Sequence, residues 1–171
     1  SLLKSNDYNL VYKKAIEYYN KGDYQRAMNL LDGVRSVFVG QAKAQNIAYY
    51  RAFCSYNMKD YQIASDLFKQ FIQTYPESSF AEECLYMMGF CDYKASPKPR
   101  LDQQVTEKAI REFQLYLSRY PYSMRKDKVN TYMDEMRDKL SYKAYLSAKN
   151  YYLREHYKAA VISLQNCLKD Y

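Results

Sequence analysis

Apolar residues recur along most of the chain at the spacing of amphipathic α-helices. This spacing runs through residues 8–21 and 24–38, and Gly22-Asp23 lies between the two stretches. Glycine commonly ends a helix and aspartate commonly begins one. The pattern therefore predicts two helices joined by a short turn. A second pair is predicted at 42–58 and 61–75, where Pro76 prevents further helix.

The helix pair repeats along the chain. Ala52–Tyr56 returns 37 residues later as Gly89–Tyr93, with Phe, Cys and Tyr at the same places. A fixed period in this range predicts stacked supersecondary units and not a single globular core. We expect an all-α, tetratricopeptide-like helical repeat solenoid that forms one domain over residues 1–171. Its four units are predicted at about 8–40, 41–77, 78–122 and 123–171.

Small residues recur where the two helices of each pair must cross closely. In the first helices they are Ala15, Ala52, Gly89 and Ala148, and in the second helices they are Ala27, Ala64, Ala109 and Ala160. A large apolar residue follows each second-helix residue by four positions, on the same helix face. Together with Pro76 and Pro121 near unit ends, this pattern resembles the tetratricopeptide repeat.

Two irregularities interrupt the repeat. The third unit has 20 residues between Gly89 and Ala109, where the other units have 12. The extra segment contains two prolines and predicts a projecting loop that contacts a partner through Pro97, Lys98, Pro99 and Arg100. The fourth unit begins with a long helix predicted at 123–153. Its expected inner face carries Val129, Tyr132, Met133, Met136, Leu140 and Leu146, and Glu135 and Lys139 are expected to pair.

Loop and long helix together resemble the BamD (YfiO) family, a tetratricopeptide lipoprotein of the outer-membrane β-barrel assembly machinery. The segments that carry the resemblance are residues 3–8, 18–24, 96–103 and 134–140. The resemblance implies a non-enzymatic scaffold on the periplasmic side of the outer membrane, lipid-anchored through a cysteine upstream of Ser1. It also implies two kinds of protein partner, a BamA-like barrel protein and unfolded outer-membrane proteins.

Family members usually have about five repeats, whereas about four are visible in this sequence. By analogy with Pro76 and Pro121, we expect a proline after Tyr171 and a further helix. That helix would cover the apolar residues Val161, Leu164 and Leu168, which are expected to be exposed in its absence.

Aligning the first helices on their small residues places aromatic residues in columns, which are expected to line a concave surface. One tyrosine column contains Tyr12, Tyr49, Tyr86 and Tyr145, and another contains Tyr19, Tyr56, Tyr93 and Tyr152. Between them lie Ile16, Phe53, Phe90 and Lys149. Partly exposed tyrosines offer large contact area, few rotors and a polar tip. The columns therefore predict a groove for extended peptides. The alternative is that these rings pack between neighbouring helices.

Composition points away from catalysis and cofactors. The only histidine, His156, lies in a predicted turn and is expected to be exposed, and the four glycines form no phosphate loop. No cysteine belongs to a C-x-x-C pair, so we expect buried free thiols and no metal site. The net charge of +7 is spread along the chain, and no run of 18 apolar residues predicts a membrane span.

Other tetratricopeptide proteins remain alternatives. A cochaperone that clamps an acidic C-terminus needs inward Lys or Arg, and only Lys149 qualifies. A cell-envelope adaptor with another partner would share the same architecture. An RNA-binding repeat needs arginine beside the stacking aromatics, and the columns have almost none. We therefore expect no nucleic-acid partner.

Overall fold

The computed structural model describes residues 7–170, which form eight α-helices and contain no β-strand. The helices are α1 (Tyr8–Asn20), α2 (Tyr24–Val34), α3 (Ala42–Asn57), α4 (Tyr61–Thr74), α5 (Ala81–Ala95), α6 (Gln104–Arg119), α7 (Lys126–Leu153) and α8 (Tyr157–Asp170). Each of the four predicted repeats therefore contains one helix pair. Residues 3–6, which belong to the first segment that carries the family resemblance, lie outside the described residues. Tyr171 also lies outside them.

The chain divides into two compact units between Cys91 and Asp92, within α5. In the N-terminal compact unit α1 packs on α2, α2 on α3, and α3 on α4. In the C-terminal compact unit α6 packs on α7, and α7 on α8. The all-α, tetratricopeptide-like helical repeat is confirmed. The expectation of one domain with four units stays a prediction.

Three of the turns within helix pairs share one backbone conformation. Gly22, Lys59 and Glu155 each follow a first helix with positive φ angles of 80°, 68° and 60°. The next residue in each turn donates its amide to a carbonyl five residues earlier, as Asp23 does to Tyr18 at 2.9 Å. Asp23 also begins α2, since its Oδ1 accepts from the amide of Arg26 at 3.2 Å. The predicted Gly-Asp turn is therefore a helix stop followed directly by a helix start.

The small residues at the expected crossings are all buried. Ala15, Ala27, Ala52, Ala64 and Ala109 have no exposed surface, and Ala148 and Ala160 have 1% and 3%. The large residues that follow in α2, α4 and α6 are fully buried: Leu31, Phe68 and Phe113. The close approach predicted from these residues is confirmed for three pairs, in which α1 packs on α2, α3 on α4 and α7 on α8. Leu164 in α8 differs, with 42% exposure.

Some predicted boundaries are wrong. Helix α2 ends at Val34, four residues early, and turns carry the chain through residues 35–40. Phe38 is nevertheless buried, so its apolar character reflects the core and not helix continuation. Helix α7 begins at Lys126 because turns occupy the residues after Pro121. Val129, Met133, Met136 and Leu140 are buried in α7, while Tyr132 and Leu146 are half-buried.

Helix α8 carries the apolar surface that the sequence predicted. Val161, Leu164 and Leu168 are 54%, 42% and 85% exposed. The free thiols of Cys54, Cys84 and Cys91 are buried as expected, whereas that of Cys167 is only half-buried. Burial raises the pKa of the Cys54 and Cys84 thiols to about 12, which makes them unreactive. None of the helices described is long and apolar enough to cross a bilayer.

Candidate functional site

Five aromatic side chains of α3 and α5 form a continuous cluster in the N-terminal compact unit. We call this cluster the aromatic surface, and its members are Tyr49, Phe53, Tyr56, Tyr86 and Phe90. The Tyr49 and Phe53 ring centres are 4.6 Å apart, and Phe53 and Tyr56 are 6.4 Å apart. Phe90 lies 6.2 Å from Tyr56 and stacks on Tyr86 at 5.7 Å. All except Tyr86 are half-buried, so they combine packing with an accessible edge.

The two predicted tyrosines of α1 are also half-buried and contact α3. The Tyr12 ring lies 6.2 Å from Phe38, and Tyr19 lies 4.9 Å from Tyr50. Burial raises the pKa of the Tyr19 hydroxyl to about 12 and also raises that of Tyr12. Hydrogen bonds to Asn57 and Asn46 oppose these pKa rises. Both asparagines lie on α3, so each binds a tyrosine hydroxyl of the preceding repeat.

A carboxylate plays the same part in the later repeats. The Tyr49 hydroxyl donates to Glu83 Oε2 at 2.8 Å, and the Tyr93 hydroxyl donates to Glu135 Oε2 at 2.5 Å. Burial raises the pKa of Tyr49, whereas the bond to Glu135 is the main cause that raises the pKa of Tyr93 to about 12. Each bond joins a first helix to the next first helix. These tyrosine hydroxyls thus link neighbouring repeats, while their rings remain partly accessible.

Tyr86 does not meet the expectation of partial exposure, because it is only 8% exposed. Helix α5 is covered on every side through six consecutive buried residues, 84–89. Buried residues therefore lie on all sides of α5, unlike in an amphipathic helix with one exposed face. The expectation of an exposed ring was wrong for Tyr86.

The remaining predicted tyrosines lie in the C-terminal compact unit. Tyr93 is half-buried and stacks on Tyr132 with 4.4 Å between ring centres. Tyr145 and Tyr152 are 46% and 62% exposed, and their rings lie near Tyr142 and Tyr157 respectively. Lys149 in the column between them is exposed. The most accessible predicted tyrosines are therefore those of α7.

The 96–104 loop is ordered by its own side chains. Gln103 is only 3% exposed, and its Nε2 donates to the carbonyls of Lys98 and Leu101 at 2.8 and 3.1 Å. Its Oε1 accepts from the Thr106 hydroxyl at 2.7 Å. Pro97 and Pro99 are half-buried. The loop therefore contributes packing and hydrogen bonds of its own, a role that the sequence did not indicate.

Helix α7 also binds the loop. Lys139 Nζ donates to Ser96 Oγ at 2.6 Å, and Lys143 Nζ donates to the Leu101 carbonyl at 2.8 Å. The predicted pairing of Glu135 with Lys139 is replaced by these bonds, since Glu135 accepts from Tyr93. A cavity of about 350 Å³ lies beside the loop, lined by Pro99, Arg100, Lys143, Leu146, Ser147 and Asn150.

Asp92, Lys108 and Glu112 form a charged cluster between the last turn of α5 and α6. Lys108 Nζ lies 2.8 Å from Asp92 Oδ2 and 3.7 Å from Glu112 Oε1. Burial, and then the neighbouring Asp92, raise the pKa of Glu112. Both carboxylates are buried, whereas the Lys108 side chain is 36% exposed. Within residues 7–170 no group of His, Cys, Asp and Glu is arranged to hold a metal ion. His156 is exposed, as expected.

A family model described as YfiO, outer membrane lipoprotein, matches residues 4–171. The chain belongs to the YfiO family. This confirms the family resemblance seen in the sequence and places the chain among outer-membrane lipoproteins. A comparison with curated proteins finds no match.

Several residues that build these surfaces were not singled out in the sequence. Glu83 is the hydroxyl partner of Tyr49, and Gln103 organises the loop. Lys143 and Asn150 line the cavity on α7 together with Leu146, which was expected on the inner face of this helix. A signal for the two polar residues existed, because positions 143, 146 and 150 are i, i+3 and i+7 and share one helix face. Nothing in the sequence placed that face against the loop.

Proposed function

We propose that this YfiO-family protein is a non-enzymatic scaffold on the periplasmic side of the outer membrane. It is anchored there by a lipid and works in the β-barrel assembly complex. Its partners are a BamA-like barrel protein and unfolded barrel precursors. Family membership supports the outer-membrane setting. The observation that carries the binding role is the aromatic surface, in which half-buried rings of α3 and α5 follow one another in contact.

The chemistry of the aromatic surface suits extended barrel segments. Strands of outer-membrane barrels alternate apolar and polar residues and carry aromatic girdles, and before assembly their backbone groups are unpaired. Tyrosine and phenylalanine rings provide apolar contact at low entropic cost. The bond from Tyr49 to Glu83 fixes one of these rings before a ligand arrives, and such preorganisation favours binding.

A titration tests this proposal. The ligand is a labelled peptide that copies the C-terminal strand of an outer-membrane barrel protein. Tyr56→Ser should weaken its binding about tenfold or more, because an aromatic anchor at a binding surface is typically worth ~2 kcal/mol. Tyr56 is chosen because its half-buried ring lies next to both Phe53 and Phe90 in the aromatic surface, whereas Tyr86 is buried.

Tyr75→Ser is the matched control. Tyr75 is also a half-buried tyrosine, but it caps the second helix α4 and packs on Phe71 at 5.3 Å. Both substitutions should lower the melting temperature by a similar amount, and only Tyr56→Ser should lower the affinity for the peptide. Equal affinities of wild type and Tyr56→Ser, with a lower melting temperature, would mean that the aromatic surface is interhelical core.

A further inference from the structure

The cavity beside the 96–104 loop carries a concentration of positive charge without a matching acid. Its lining includes Arg100 and Lys143 and no acidic side chain. Within the described part of the chain, the Arg100 guanidinium makes no ion pair or hydrogen bond. Lys143 uses one of its three N–H groups on the Leu101 carbonyl, which leaves two for a ligand.

The turn that carries Arg100 is fixed before any ligand binds. The amide of Leu101 donates to the Lys98 carbonyl at 3.0 Å and closes the turn. The buried Gln103 side chain donates to the same carbonyl and to that of Leu101. Lys139 holds the start of the loop through Ser96. A turn held at so many points loses little conformational entropy on binding.

The rest of the lining suits a peptide. Pro99 and Leu146 offer apolar surface, and the Asn150 side chain offers an amide that can pair with a peptide backbone. The Ser147 hydroxyl donates to the Lys143 carbonyl at 3.2 Å, so its lone pairs remain for a donor. A volume of about 350 Å³ lies in the range of ligand pockets and accepts a few side chains.

We propose that this cavity binds an acidic segment of a partner protein, whose carboxylates pair with Arg100 and Lys143. Arginine–carboxylate pairs are charge-assisted and often bidentate, which gives both strength and orientation. This proposal rests on the proposed scaffold function only in assuming that the partner is a protein. The site lies in the C-terminal compact unit and the aromatic surface lies in the N-terminal one, so either site can fail without the other.

The test uses a short labelled peptide of alternating Glu and Ser residues, and the same peptide with Gln in place of Glu. The protein should bind the Glu peptide, with affinity that falls steeply with salt, and should bind the Gln peptide at least about tenfold more weakly. Arg100→Gln should lower the affinity for the Glu peptide about tenfold. Because Arg100 has no partner among the described residues, this change should leave the melting temperature unaltered.

Arg111→Gln is the control, since it removes one positive charge from an exposed position of α6 in the same compact unit. It should leave the affinity for the Glu peptide within about twofold of wild type. Equal losses in the two variants would overturn the proposal, because only net charge would then matter. Equal binding of the Glu and Gln peptides would also overturn it.

Two further arms distinguish other anions. Inorganic phosphate that displaces the Glu peptide at equal charge concentration would show a plain anion site and contradict the proposal. So would anionic lipid vesicles that bind wild type but not Arg100→Gln while the Glu peptide binds neither. Tyr56→Ser should bind the Glu peptide like wild type, which separates this site from the aromatic surface. A lower affinity of that variant for the Glu peptide would contradict the claim that the two sites are independent.

Discussion

The charged cluster of Asp92, Lys108 and Glu112 shows how a single buried side chain, Glu112, links this fold to pH. Two carboxylates share one ammonium group, and Glu112 Oε2 is buried without a hydrogen-bond partner among residues 7–170. Ionising both acids in this setting is unfavourable, since burial penalises charge and like charges repel. The folded state therefore keeps a proton on Glu112 that the unfolded state releases near its ordinary pKa of 4.5.

This retained proton predicts the pH dependence of stability. Between pH 4.5 and the raised folded pKa the folded state binds more protons than the unfolded state, so the free energy of unfolding falls as pH rises. Glu112→Gln removes the titration and should flatten the decline. Urea unfolding at intervals from about pH 5 to about pH 9 measures both curves. Curves that stay parallel over this interval would show that Glu112 is ionised in the fold.

The tyrosine columns show what residue-level sequence reading captures and what it misses. Spacing alone placed Tyr49, Phe53 and Tyr56 on one face, and the structure brings their rings together. Spacing could not show that Tyr86 is buried, because its cover depends on how other helices surround α5. The carboxylate that accepts from Tyr49 was also hidden, since Glu83 looks like any solvated acid in the sequence.

At the scale of elements, one turn conformation joins three helix pairs with three different residues. Gly22, Lys59 and Glu155 all occupy the left-handed region. Glycine adopts this region without the Cβ penalty that other residues pay. The turn is thus determined by the hydrogen bonds after the helix end. Glycine in the first pair lowers the free-energy cost of the turn but is not required for it.

Substitutions in these turns predict opposite signs. Gly22→Ala should destabilise the protein by ~1 kcal/mol, and Lys59→Gly should stabilise it by about 0.5 kcal/mol. Since a Cβ at Gly22 meets no atom within 4 Å, the loss reflects backbone conformation and not a clash. Urea unfolding gives both values.

Gly33→Ala is the control for this pair, because Gly33 is exposed within helix α2, where alanine is the better helix former. It should be neutral or stabilising. A Gly22→Ala variant as stable as wild type would show that the turn does not require its positive φ.

Element boundaries were less predictable than element types. The sequence predicted both helices of each pair, because apolar periodicity and the turn residues agree. It extended α2 to Phe38 because Val37 and Phe38 continue the apolar pattern, whereas the structure ends α2 at Val34 and buries Phe38 from a turn. The 96–104 loop was predicted as a loop from its prolines. Its internal order depends on Gln103, whose burial no local pattern signals.

At the scale of the whole molecule, the chain combines a repeat architecture with membership of an outer-membrane lipoprotein family. Repeat stacks of this kind bury apolar faces between neighbouring units and leave one face for partners. Two candidate surfaces follow, one aromatic in the N-terminal compact unit and one basic in the C-terminal compact unit. Different chemistry at the two surfaces suits a scaffold that holds more than one protein.

Site-specific photo-crosslinking tests the central claim, that the aromatic surface holds unfolded barrel segments, most directly. A benzophenone amino acid replaces Tyr56 in one variant and Tyr75 in another, which keeps an aromatic ring at each position. Each variant is mixed with a barrel protein freshly diluted from urea, irradiated and mapped by mass spectrometry. We predict crosslinks from position 56 into aromatic-rich strand segments, and few from position 75. Crosslinks from position 75 that equal or exceed those from position 56 would contradict the account.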